Sequence, residues 1–75
     1  MIKNTVIFKH GDILKLKMSE ENSITLNKAF VDQGVNPGPA VINVEAQTLS
    51  ENSFFWSDKK LVHILIANVA CIIEG

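Results

Sequence analysis

Polar and apolar side chains alternate along this chain in short bursts, and the alternation predicts strands. Residues 5–9, Thr-Val-Ile-Phe-Lys, are β-branched and aromatic enough to form one. Over residues 12–18, Leu14, Leu16 and Met18 take one face while Ile13, Lys15 and Lys17 take the other, the period-two signature of a half-buried strand. His10-Gly11 between them suits a two-residue turn, because glycine accepts positive φ freely and histidine tolerates it. Residues 5–18 should therefore be a β-hairpin. The alternation resumes over residues 40–48, with Val41, Asn43 and Glu45 on one side against Ile42, Val44 and Ala46.

The longest apolar run is residues 61–73, where only His63 and Asn68 interrupt eleven apolar positions. It is too short to cross a bilayer as a helix, which takes about 20 residues. As a strand it carries Leu61, Leu65 and Ala67 with His63 on one face and Val62, Ile64 and Ile66 on the other. A strand apolar on both faces needs cover on both. A chain of 75 residues has little left to supply it, which points to self-association or a partner surface. The alternation changes phase at Asn68, so a bend or bulge is expected there, and a bent strand could serve two sheets.

Residues 19–34 give conflicting signals. Ser19 followed by Glu20 and Glu21 reads as an N-cap with acids at the positive helix end, and Gly34 suits a position just past the C-terminus. Yet Ile24 and Val31 share one side of such a helix, and Leu26, Ala29 and Phe30 lie across from them. The reading favoured by that split is a tight turn at 19–22, a short strand at 23–26 and helical turns at 27–33. A single helix over 20–33 is the alternative. Residues 34–39 should form a loop, since Pro37 and Pro39 fix φ and oppose helix at the residues before them. Ser50-Glu51-Asn52-Ser53 reads as a turn, Phe54-Phe55-Trp56 as the start of another strand, and Asp58-Lys59-Lys60 as a further turn. Five or six short strands and one short helix make one mainly β domain over residues 1–75, a small barrel or sandwich. With the longer helix the class becomes α+β.

Size makes the assembly question sharper. A domain this small buries only about 60–65% of its unfolded surface, so its stability margin is thin. The single cysteine, Cys71, excludes an internal disulfide. His10 and His63 are far apart and no Cys/His spacing suits a metal, so no metal or cofactor is expected. Oligomerisation is the support that remains. No signal-peptide pattern precedes the first strand, and the lack of disulfide chemistry fits a reducing, cytoplasmic setting.

The formal net charge of −1 hides an uneven distribution. Residues 1–17 hold four lysines against Asp12, a net of +3, whereas residues 18–58 hold six acids against Lys28, a net of −5. Every cation is lysine. Arginine is the usual agent of bidentate phosphate and base contacts, and its absence weighs against nucleic acid.

No catalytic motif is present: there is no phosphate-binding glycine loop, nucleophile elbow or zinc-protease signature. Lys9-His10-Gly11-Asp12 offers a histidine near a carboxylate, but it reads first as a solvated hairpin tip. His63 suits a histidine hydrogen-bonded to a neighbouring strand, and Cys71 a structural thiol. Phe54, Phe55 and Trp56 are three of five aromatic residues. They suit the core of a small protein, a protein interface, or a base-stacking surface. Lys3, Lys9, Lys15 and Lys17 are the candidate contacts for an anionic partner, though lysines on exposed strands also discourage edge-to-edge pairing.

Leu61-Val62-His63-Ile64-Leu65-Ile66-Ala67-Asn68-Val69 resembles the last strand of small SH3-like barrels in phage-encoded accessory proteins, where a hydrophobic strand runs into Asn-Val. Many of those sequences carry a proline where this one has aliphatic residues. The resemblance covers a minor part of the chain and transfers no functional residue. It implies a compact SH3-like barrel, commonly oligomeric, that binds rather than catalyses. The leading expectation is a non-enzymatic interaction protein, homo-oligomeric, docking a host or partner protein through Phe54, Phe55, Trp56, Leu61, His63 and Leu65. A nucleic-acid-binding barrel using the N-terminal lysines is the second. A small-ligand binder or enzyme with a site at a subunit interface is the third, and it needs His10 or His63 to face a pocket.

Overall fold

The computed structural model describes residues 1–36, 38 and 40–75. It is mainly β: five antiparallel strands in one sheet, with one helix. Strands β1 (Ile2–Phe8) and β2 (Ile13–Met18) form the expected hairpin, with Val6 opposite Leu14 and Ile7 opposite Ile13. The connection spans four residues rather than two. Its hydrogen bonds run from Phe8 N to Asp12 O and from Gly11 N to Phe8 O, each 2.9 Å, and only Gly11 takes positive φ.

A single helix, α1 (Glu20–Val35), replaces the turn and short strand expected over residues 19–26. Ser19 caps it, its Oγ accepting from Asn22 N at 3.2 Å, and Glu20 and Glu21 occupy the first turn. The apolar split that argued against a helix is real. Leu26 is buried, with Ala29 and Phe30 packed against the core, while Ile24, Val31 and Val35 point to solvent at 60%, 65% and 74% exposure. Gly34, expected to follow the helix, lies in its last turn. Of the expected loop at 34–39, Pro37 and Pro39 fall outside the described residues.

Strand β3 (Val41–Ser50) pairs with β4 (Lys60–Leu65) through Val41–Ala46 and with β2 through Gln47–Ser50. Strand β5 (Val69–Glu74) pairs with β1, giving the order β4-β3-β2-β1-β5. The two edge strands are thus neighbours in sequence, joined by a 3₁₀ turn at Ile66–Asn68. Bonds from Ile66 N to Ala40 O (2.9 Å) and from Lys9 N to Asn68 O (2.7 Å) tie that turn to both ends of the sheet and roll it. The bend foreseen at Asn68 is this turn, and a register shift between Ile7 and Phe8 completes the change of phase.

The core gathers the inward set of every strand: Val6, Leu16, Met18, Val44, Ala46, Ile64 and Val69, with Leu26 and Ile66. Burying each of these side chains other than Ala46 contributes about 1.5–3 kcal/mol. Phe54-Phe55-Trp56 forms no strand. These residues lie in the β3–β4 connection, which Ser57 holds back against β3: Ser57 N donates to Thr48 O and Thr48 N to Ser57 Oγ, both 2.9 Å. Five strands result, not six. Among the described residues no helix is long and apolar enough to cross a membrane.

Candidate binding surface

The roll has an inner face packed with apolar residues and an outer face where the candidate residues collect. Strand periodicity decides who lies where. On β4, Leu61, His63 and Leu65 point outward, opposite Glu45, Asn43 and Val41 of β3. His63 Nδ1 donates to Oδ1 of Asn43, so the imidazole is held across the strands on an exposed face. Leu61, Leu65 and Val41 are exposed around it. Phe55 lines a hollow with Leu61 and His63, which extends the same apolar surface. Phe54 and Phe55 are 92% and 84% exposed, so the expectation that these rings fill the core is overturned for both. Their connection has no strand partner that would turn them inward.

Trp56 goes the other way. Its half-buried ring lies over the hairpin, with Lys17 Nζ 4.7 Å from the ring centroid. Lys3 stands directly opposite Lys17, and Lys15 is opposite Thr5. Lys3, Thr5, Lys15, Leu49 and Trp56 line one hollow of about 350 Å³. Of the four candidate lysines, Lys3, Lys15 and Lys17 share this face. Lys9 does not: it lies at the far end of β1, in a hollow with Phe30, Val31 and Ile66. The lysine face also belongs to β1 and β2, which are interior strands, so it guards no edge.

A third hollow of about 480 Å³ opens at one end of the roll, lined by Phe8, His10, Asp12, Leu14, Ser50 and Leu65. His10 Nε2 donates to Asp12 Oδ2 at 2.9 Å, and its ring stacks on Phe8 with centroids 5.6 Å apart. The pair is a solvated hairpin tip, both side chains being more than half exposed. Ser50, the hydroxyl residue in that lining, pairs with Ser53 Oγ at 2.9 Å rather than with His10. A relay from hydroxyl to imidazole to carboxylate is therefore not assembled. Cys71 is half-buried opposite Ile7. Among the described residues no group of three or more His, Cys, Asp or Glu side chains gathers to hold a metal.

The exposed helix ridge of Ile24, Val31 and Val35 is not among the expected contact residues, although the two-sided apolar pattern was its signal. A family model matches residues 2–69; its description is a protein of unknown function, DUF3155. No curated protein and no solved structure matches the chain.

Proposed function

The chain belongs to the DUF3155 family of unknown function, and we propose that it is a non-enzymatic β-rich interaction protein whose first partner is a second copy of itself. The observation that carries this reading is the set of exposed apolar side chains on and beside β4: Leu61 and Phe55 on one side of the His63–Asn43 pair, Leu65 and Val41 on the other, and the exposed Phe54 ring of the same connection as Phe55. Two rings this exposed leave on the order of 300 Å² of apolar area on their own. The largest patch on a typical monomer is about 300–600 Å² in all, and Leu61, Leu65 and Val41 add to what the rings already expose. Strand β4 is also a sheet edge, whose unpaired backbone groups offer a second copy a ladder. The expectation of an oligomeric SH3-like barrel, and of a cytoplasmic setting, belongs to the same proposal. The sheet order, with both edges joined by one short turn, supports the first.

Molar mass measured by light scattering across a dilution series tests the reading. A multiple of 8.3 kDa that falls on dilution is expected, and Phe54→Ser with Phe55→Ser should shift the mass to one chain at concentrations where the unaltered protein assembles. A single-chain mass at every concentration up to the millimolar range overturns it.

A further inference from the structure

We propose that the lysine and tryptophan face of the hairpin is a binding site for single-stranded nucleic acid. The register brings Lys3 directly against Lys17, with Lys15 on the same face two residues, about 6.8 Å, along β2. Like charges directly opposite one another destabilise a sheet. Among the described residues none of the three forms an ion pair, although the chain holds eight acidic side chains. Edge protection does not account for them, because both strands are interior. Lys3 and Lys15 thus have no carboxylate partner and Lys17 has only the Trp56 ring, which leaves the patch free to take an external anion.

Trp56 narrows the class of anion. The Ser57 and Thr48 bonds hold its connection against β3, so the ring is delivered to the lysines rather than swinging free. Lys17 lies over the indole, and the hollow beside it is bounded by Lys3, Lys15 and Leu49. A phosphate backbone crossing the lysines would place a base at the ring. Stacking there displaces the Lys17 ammonium from the indole, and the freed ammonium meets a phosphate. A basic track with an aromatic platform is the arrangement that binds single strands with little sequence preference. The lack of arginine, which weighed against nucleic acid, removes bidentate base reading but not this mode. An acidic protein segment would use the lysines and leave the indole unused.

Trp56 is the only tryptophan, so intrinsic fluorescence reports this site alone. The probes are a ten-nucleotide polythymidylate, a polyuridylate of equal length and poly-glutamate. Both oligonucleotides should change the Trp56 emission, with an affinity that falls with salt at a log–log slope of about −2, from three phosphates at roughly −0.7 each. Lys15→Gln with Lys17→Gln should flatten the slope to about −0.7, and Lys9→Gln should leave it unchanged. A response to only one oligonucleotide supports the site and shows that it distinguishes the two strands by the 2′-hydroxyl or the thymine methyl group. The proposal is overturned if neither oligonucleotide alters the emission at low salt, if poly-glutamate acts equally well, or if the slope ignores the double substitution.

Discussion

Asn4 shows how one buried polar residue can join two elements. It is 1% exposed on the inward face of β1, where an unpaired amide would be costly. Its Nδ2 donates to Ser23 Oγ at 2.9 Å, and its Oδ1 accepts from Asn27 Nδ2 at 3.3 Å, so both ends of the amide are satisfied by α1. Removing the Ser23 hydroxyl leaves the Asn4 amide without that acceptor. Ser23→Ala should lower stability by about 1–3 kcal/mol, read as a lower urea midpoint with the slope of the transition unchanged. A midpoint equal to that of the unaltered chain would show that the amide finds another partner. Gly11 poses the complementary case, a cost of backbone rather than of packing. Nothing lies within 4 Å of a Cβ built there, yet its φ is +100°. Gly11→Ala should therefore cost about 1–3 kcal/mol through strain alone, and Gly34→Ala, also in open space but helical, should not destabilise.

At the scale of the element, α1 decides between two readings of the same residues. In a strand Ile24 and Leu26 would share a face; in a helix they lie on nearly opposite sides. Leu26 is fully buried and Ile24 is mostly exposed. Leu26→Ala should then cost about 2–5 kcal/mol, whereas Ile24→Ala, which loses little burial and gains helix propensity, should change stability by less than about 0.5 kcal/mol. Comparable losses at both positions would restore the strand. The hairpin and β3 could be read from the chain because one face of each is largely polar, so a period of two explains most positions, Ile13 and Val41 being exceptions. The helix was obscured because it is apolar on two faces. Tertiary packing uses only one of them, and the caps at Ser19 and Asn36, not the periodicity, mark its ends. The aromatic segment misled for a related reason. Strand propensity describes a half-buried pleated surface, and the Ser57–Thr48 bonds hold residues 54–56 where no such surface exists.

For the molecule as a whole, the decisive event is the pairing of β5 with β1, which no local pattern encodes. It rolls the sheet, and the roll sorts adjacent residues onto separate surfaces: Phe55 toward β4, Trp56 toward the lysines of β1 and β2. The oily C-terminal run was legible as a demand for cover. One side of it meets that demand within the chain through Ile64, Ile66 and Val69, and the other leaves Leu61 and Leu65 outside. The apolar patch and the lysine patch are therefore distinct proposals, one on β4 and one on β1 and β2, with β3 between them, and substitutions at residues that share no direct partner add. Phe54→Ser with Phe55→Ser should abolish assembly while changing oligonucleotide affinity less than twofold. Lys15→Gln with Lys17→Gln should weaken oligonucleotide binding and leave the dilution curve in place. Each variant is to be measured in both assays at equal salt. If the lysine changes also dissolve the assembly, the copies meet through the basic face, and the ammonium groups answer to the acids of a neighbouring chain instead of a phosphate backbone.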